Sequence, residues 1–155
     1  MNIEIVSATL EQLDDLTVLF DAYRVFYQET TDLERARTFL LERIQNADSV
    51  IYLAYDAEKP LGFTQLYPSF SSVSTNRLWI LNDLYVIPEA RGLRVGERLI
   101  ARALQLARDT DAKGVQLETA HTNFSGQKLY ERLGFEREDL EYRTYFKAGV
   151  SVEWV

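Results

Sequence analysis

Hydrophobic and polar residues recur with two different periods along this chain, and the changes of period divide it into segments. Residues 3–7 (IEIVS) alternate as a short strand. A helix is predicted to begin at Thr9, because Gln12 three residues later completes a capping box. Its apolar residues recur at helical spacing and are expected to face the core; they are Leu10, Leu13, Leu16, Phe20, Tyr23 and Tyr27. Asp32 is a second predicted N-cap, and a shorter helix follows it.

The middle of the chain predicts strands before the helical period returns. Two apolar runs, 49–55 and 61–67, flank the turn DAEKP and predict a hairpin. The polar stretch 68–76 that follows predicts a mobile loop. The later segments are a long strand at 77–86 closed by Pro88, a helix from Gly96 to Thr110, a strand at 114–119, a helix at 124–133 ended by Gly134, and a final alternating strand at 141–147.

This order of elements predicts the fold class. Helices alternate with strands only in the second half, which favours a single α/β domain with a mixed sheet and helices on both faces. The domain is expected to span residues 1–148, with a short tail at 149–155. In that tail Val150, Val152 and Trp154 alternate as a strand would, so the tail either pairs with a second subunit's sheet edge or folds back onto its own. A homodimer is therefore one of two expectations.

Composition excludes several classes of function. The chain has no cysteine and a single histidine, His121, so neither a disulfide nor a zinc site nor a Ser-His-Asp triad is expected, and no metal is predicted. No apolar run approaches the ~20 residues of a membrane span, and the N-terminus lacks the features of a signal peptide. The net charge of −7 argues against nucleic-acid binding. A cytoplasmic location without membrane contact is expected.

The loop RGLRVG, residues 91–96, departs from this acidic character. It places two glycines and two arginines between an apolar strand and a helix. A helix N-terminus offers unsatisfied N–H groups and partial positive charge, glycines admit a phosphate to the backbone, and arginines add charge-assisted hydrogen bonds. The loop therefore fits a phosphate cradle. A tight turn with solvated arginines fits the same residues, and the loop alone does not separate the two hypotheses.

A second motif lies downstream. The segment NFSGQKLYERLGF places Asn123 ahead of Tyr130, and Tyr130 ahead of Gly134. Together with LYVIPEARGLRVG, it resembles the GNAT superfamily of acyl-CoA-dependent N-acyltransferases. The family's patterns are Arg/Gln-x-x-Gly-x-Gly/Ala after a strand and Asn-x-x-Ala-x-x-Leu-Tyr-x-x-x-Gly-Phe downstream. Arg94 stands where the family usually has glycine and Gly126 where alanine is common; the Arg94 amide is still expected to donate if its φ is negative.

The resemblance implies how acetyl-CoA binds. Acetyl-CoA is expected to bind between the strands 78–86 and 114–119. These two strands would be parallel and splay apart within a mostly antiparallel sheet. Its pyrophosphate would lie on the loop amides and its pantetheine along the end of the first strand, where a backbone N–H near 84–86 would hold the oxyanion. The expected cofactor contacts are Tyr85, Val86, Ile87, Arg91, Gly92, Leu93, Arg94, Val95, Gly96, Glu97, Asn123 and Tyr130.

The same resemblance assigns catalytic roles. Tyr130 matches the family's general acid, which protonates the departing thiolate; its spacing alone would also fit a core tyrosine. Polyamine acetyltransferases of the superfamily carry adjacent Glu and Asp on the central strand, and this chain has Asn82 and Asp83 there. Strand alternation places Asp83 on one face with Leu81 and Tyr85, and Asn82 on the other. Asp83 is expected either to draw a proton through water, to hold an ammonium group, or to serve the structure.

The acceptor is less defined by sequence. The first helix and its following loop often wall the acceptor site in the family, which makes Tyr23, Arg24 and Tyr27 candidates, with Phe70 as a cover. The leading hypothesis is acetylation of a primary amine, a small cationic amine or an amino acid, in a ternary complex. The alternatives are a protein lysine or N-terminus as acceptor, or an inactive acyl-CoA-binding module.

Overall fold

A computed structural model describes residues 1–149 of the chain. The predicted tail residues Val150, Val152 and Trp154 lie outside the described residues. The regular elements are, in chain order, β1 (Ile3–Ser7), α1 (Leu13–Phe26), α2 (Leu33–Asn46), β2 (Val50–Asp56), β3 (Lys59–Ser71), β4 (Asn76–Val86), α3 (Val95–Asp109), β5 (Val115–Leu117) and α4 (Phe124–Arg132).

The strands form one five-stranded sheet in the order β1-β2-β3-β4-β5. The first three pairings are antiparallel, and the pairing of β4 with β5 is parallel. The predicted mixed, mostly antiparallel sheet is therefore confirmed.

Helices cover both faces of the sheet, as predicted. Ile51, Leu53 and Phe63 point towards α1 and α2 and are buried in one core cluster with them. Tyr52 points the opposite way, where the Arg102 guanidinium of α3 lies 4.5 Å from its ring centroid. This side-to-side alternation along β2 follows from the strand period of two.

Local signals placed the helix starts correctly. The Thr9–Gln12 capping box is present and opens a short 3-10 turn that leads into α1. Asp32 caps α2, since its side chain accepts a hydrogen bond from the amide of Arg35. The expected core stripe of α1 holds only in its middle, because Leu10 and Tyr27 lie beyond the helix ends and are 55% and 62% exposed.

Two sequence predictions about irregular and strand segments are wrong. The stretch 68–76 is not a loop, because residues 68–71 continue β3 and pair with residues 76–79 of β4. Its polar residues belong to the end of the β3–β4 hairpin and to the turn at 72–75. The segment 141–147 forms no strand with any described residue, and its aromatic residues Tyr142, Tyr145 and Phe146 are exposed. Alternation favours an extended chain, but a strand also needs a partner edge.

The chain divides into two compact units at residue 118. The first, residues 1–118, contains the whole sheet with α1, α2 and α3. The second begins at Thr119 and contains α4. Within residues 1–149, no helix combines the length and apolar character that crossing a membrane requires.

Candidate active site

A β-bulge in the centre of β4 sets the geometry of the site. The register with β3 pairs Gln65 with Asp83 but Leu66 with Leu81, so Asn82 has no partner of its own. A bulge breaks the alternation of side chains and re-aims those next to it. The sequence prediction that Asp83 shares a face with Leu81 and that Asn82 points away is therefore wrong.

The bulge buries the Asp83 carboxylate among neutral donors. Asp83 is 3% exposed. Its Oδ2 accepts a hydrogen bond of 2.6 Å from the Gln65 amide, and its Oδ1 one of 2.9 Å from Asn82. The main-chain carbonyl of Asp83 accepts a hydrogen bond from the Thr64 hydroxyl at 2.8 Å. Ser49 holds Gln65 in turn, at 2.9 Å, so a polar chain through β3 fixes the carboxylate in place.

Two tyrosines face this carboxylate. Burial raises the pKa of the Tyr23 phenol far above its usual range, and the charge of Asp83 and a hydrogen bond with its side chain raise that pKa further. Burial and then the charge of Asp83 raise the pKa of Tyr67 to about 12. Both phenols therefore remain protonated at neutral pH and serve as hydrogen-bond donors, not as bases.

The two parallel strands separate beside the bulge. β4 pairs with β5 only over Trp79–Leu81 and Val115–Leu117. β4 then continues to Val86, and among residues 1–149 no strand pairs with that edge beyond Leu81. Its main-chain groups there are exposed to an extended ligand in the way that a sheet edge is exposed to another strand.

The loop 91–97 follows the end of this edge and leads into α3. Gly92 has a φ of 80° and Arg94 a φ of 65°, so both are left-handed. Arg94 occupies the N-cap position, and no side chain caps the helix there. The first amides of α3 therefore keep the donor capacity that an anion can use. The condition given for donation by the Arg94 amide, a negative φ, is therefore not met, because this turn uses the conformation that glycine adopts most easily.

This conformation makes a testable prediction for Arg94. Arg94→Gly should stabilise the fold by about 1 kcal/mol, because the strain of a left-handed residue exceeds the entropy that glycine adds to the unfolded chain. Gly92→Ala should destabilise it by a similar amount, since nothing lies within 4 Å of the added Cβ and only its φ of 80° opposes the change. Urea unfolding of the two variants measures both effects, and two shifts of the same sign would contradict this assignment.

Arg91 joins the loop to the strand and to α1. Its Nε donates to the Val86 carbonyl at 3.1 Å. Its guanidinium lies 5.7 Å from the Phe26 ring centroid and 5.9 Å from that of Tyr85. The side chain thus supports the end of β4 while it keeps further N–H groups for a ligand.

The second unit presents Asn123 and Tyr130 on α4. Asn123 is the N-cap of the helix, and its Oδ1 accepts from the Gly126 amide at 3.1 Å while its Nδ2 donates to Thr119 at 2.9 Å. Tyr130 is half-buried and its ring lies 6.1 Å from that of Phe135. A Cβ at Gly126 would clash with the Asn123 side chain, so glycine here permits this cap.

Comparison with known families decides the identity of this fold. A model of the acetyltransferase (GNAT) family matches residues 15–135. The chain belongs to this family. As a GNAT protein it is an acetyl-CoA-dependent N-acetyltransferase, which confirms the enzyme class predicted from its two motifs.

Individual proteins agree with this membership. An uncharacterized N-acetyltransferase of Bacillus subtilis (strain 168) is 46% identical over 120 residues, which cover 77% of this GNAT chain and 80% of the relative. The crystal structure of a probable acetyltransferase is 48% identical, with a TM-score of 0.87 over 97% of this chain and 99% of that one. The aminoglycoside acetyltransferase AAC(6')-Iy, in complex with a bisubstrate analogue, shares the fold at 18% identity, with a TM-score of 0.80 over 96% of this chain and 99% of that one.

The predicted acceptor residues of this GNAT protein fall into two groups. Tyr23, Asn82 and Asp83 lie together at the bulge, and Tyr27 contacts Tyr23 with ring centroids 5.0 Å apart. Arg24 has one buried nitrogen without a hydrogen bond and another 3.7 Å from Glu29. Phe70 lies apart, at the far end of β3, where it is 71% exposed and contacts Arg77.

Sequence reasoning missed three residues of the site. Gln65 is fully buried and holds Asp83, although it stands in an apolar strand where a lone amide is a visible exception. Tyr67 and Phe26 fit ordinary apolar patterns in the sequence. Their roles depend on the register of β3 against β4 and on the position of Arg91, which no local signal encodes.

Proposed function

We propose that this GNAT protein transfers the acetyl group of acetyl-CoA to the primary amino group of a small cationic molecule. The supporting observation is the environment of Asp83. Its carboxylate is buried and accepts from neutral amides, and no Lys or Arg of residues 1–149 lies within ion-pair distance of it. A buried charge without a counter-charge is costly, and an ammonium group supplies that counter-charge.

The cofactor-binding residues expected from the sequence fit acetyl-CoA. The uncapped amides at the start of α3, with Arg91 and Arg94 beside them, offer donors and positive charge to the pyrophosphate. The open edge of β4 offers main-chain groups to the pantetheine. Bound there, acetyl-CoA supplies the thioester carbonyl that the amine attacks. We propose that residues 1–148 act together as the acetyltransferase domain.

The chain's own residues then position the amine and move protons. An alkyl ammonium has a pKa near ~10.4 and must lose a proton before attack. Asp83 would hold the ammonium and draw this proton through water. The Tyr23 phenol stays protonated, so it donates a hydrogen bond and does not accept the proton of the amine. A β4 amide near residues 84–86 would stabilise the oxyanion. Tyr130, by its place in the family motif, would protonate the thiolate as it leaves.

Gly96 tests the placement of the cofactor. A Cβ at Gly96 would have only the Val86 side chain near it, at 3.9 Å, so the fold admits a larger residue. Gly96→Val should raise the KM for acetyl-CoA at least tenfold, because the branched side chain blocks the approach of a phosphate to the amides. Gly96→Ala is the matched control and should change the KM little, since the family pattern allows alanine. Equal cofactor affinity in Gly96→Val and wild type would refute this placement.

The function itself is tested by a panel of amines with acetyl-CoA. Thiol release that depends on a cationic amine, with an acetylated product in the mass spectrum, is the expected result. Acetylation of peptide lysines or N-termini but not of small amines would favour the alternative acceptor. Acetyl-CoA binding without transfer to any amine or peptide would favour an inactive binding module.

The cytoplasmic location and the homodimer that the sequence suggests remain predictions.

A further inference from the structure

Four aromatic rings and one guanidinium form a closed circuit beside the Asp83 carboxylate. We call it the aromatic cluster: Tyr23 and Phe26 of α1, Tyr27 directly after that helix, Tyr85 of β4, and Arg91. The ring centroids of Phe26 and Tyr27 are 5.4 Å apart, those of Tyr27 and Tyr23 5.0 Å, and those of Tyr23 and Tyr85 6.4 Å. Arg91 closes the circuit between Tyr85 and Phe26, at 5.9 Å and 5.7 Å.

The cluster has a buried anionic side and an open aromatic side. Asp83 and Tyr85 lie two residues apart on one face of β4, opposite Gln65 and Phe63, and the charge of Asp83 contributes to the raised pKa of Tyr23. Phe26 and Tyr27, at the end of α1, are 58% and 62% exposed. Large aromatic rings held in mutual contact and left open to solvent are costly unless a ligand or partner covers them. The anion next to them indicates that the ligand is cationic at one end and apolar at the other.

The position of Arg91 limits how many charges this ligand carries. Asp83 provides one negative charge for one ammonium. The Arg91 guanidinium already lies against the rings of Phe26 and Tyr85, so a second ammonium further along the molecule would compete with it for those ring faces. A flat apolar body meets no such opposition, and it stacks favourably on aromatic rings.

We propose that the aromatic cluster selects a primary monoamine with an aromatic body, its ammonium on Asp83 and its ring against Phe26 and Tyr27. This inference rests on the proposed function and names the substrate class for the same site. It also favours monoamines over the polyamines that the Asn82–Asp83 position alone suggested. Phe26 and Tyr27 are then specificity residues, which act on the body of the amine and not on the transfer.

The test compares three amines at saturating acetyl-CoA: phenethylamine, hexylamine as an aliphatic monoamine of similar reach, and spermidine. The wild type should show the highest kcat/KM with phenethylamine. Phe26→Leu and Tyr27→Leu, which keep an apolar side chain but remove the ring, should lower kcat/KM for phenethylamine about two- to tenfold and lower it less for hexylamine. Val18→Ala is the control, because Val18 lies on the same helix, is 61% exposed and is outside the cluster.

The outcomes separate the two proposals. Two results would overturn the aromatic selectivity and leave amine acetylation intact. One is a higher kcat/KM with spermidine than with phenethylamine. The other is a ratio of the kcat/KM values for phenethylamine and hexylamine that is the same in both leucine variants as in the wild type. Absence of transfer to all three amines and to the wider panel, with acetyl-CoA bound, would refute the proposed function, and the selectivity with it. A larger loss of kcat/KM for phenethylamine than for hexylamine in both leucine variants would support the inference.

Discussion

Tyr130→Phe should lower kcat by roughly 10²–10⁴-fold, the usual contribution of a general acid, and leave both KM values nearly unchanged. The substitution removes one oxygen and keeps the ring that lies 6.1 Å from Phe135. The proton is needed when the thiolate leaves, so its loss affects the transition state more than the ground state. Steady-state kinetics with acetyl-CoA and a reactive amine measure the effect.

Stability measurements distinguish this role from a structural one. If Tyr130 serves packing and a hydrogen bond, the phenylalanine variant should lose about 1–3 kcal/mol of unfolding free energy and keep its turnover. Tyr142→Phe is a matched control in the same unit, since Tyr142 is 74% exposed and has no proposed role. A stable and fully active Tyr130→Phe protein would make water the proton donor instead.

Asp83→Asn should lower kcat/KM for a cationic amine by about 2–5 kcal/mol of transition-state stabilisation, roughly 30-fold to several thousand-fold. The ammonium would lose its counter-charge, whereas asparagine keeps the size of the side chain. Affinity for acetyl-CoA should not change, because the proposed cofactor contacts lie on the β4 edge and the loop. If Asp83 acts as a base, the rising limb of the pH–rate profile should move to higher pH in Asp83→Asn. If Asp83 only forms an ion pair with the ammonium, the variant should show a raised KM for the amine and no such shift.

Thr64→Val controls for damage to the bulge. Thr64 donates to the Asp83 carbonyl at 2.8 Å, so this variant removes a hydrogen bond from the bulge without changing its charge. It should cost about 1 kcal/mol in stability, the usual contribution of one hydrogen bond, and should keep most of the amine activity. Equal losses of activity in Thr64→Val and Asp83→Asn would assign Asp83 a structural role.

Much of the fold follows from local signals in the sequence. The capping box at Thr9, the N-cap at Asp32 and the strand-forming runs of β2 and β4 are each encoded within a few residues, and the structure confirms them. The segments 68–76 and 141–147 were mispredicted because pairing between strands is not a local property. In 68–76, polar residues pair with β4 although the sequence predicts a loop. In 141–147, the alternating residues pair with no strand among the described residues.

The candidate site was predicted by residue type but not by geometry. The motif resemblance selected Asp83, Asn82 and Tyr23, which the structure places together. Strand alternation failed at this point because a bulge inserts one residue, and the sequence gives no sign of it. The role of Gln65 is also not predicted by local sequence, since its partner Asp83 belongs to another strand and contacts it only in the folded sheet.

The central claim is tested most directly by following acetyl transfer itself. Purified protein with acetyl-CoA labelled in its acetyl group and a cationic amine should yield labelled amine, with one thiol released for each acetyl group transferred. Asp83→Asn should make this product far more slowly while binding acetyl-CoA as the wild type does. Label that remains on acetyl-CoA with every amine, or equal rates of product formation in the two proteins, would contradict the proposed site.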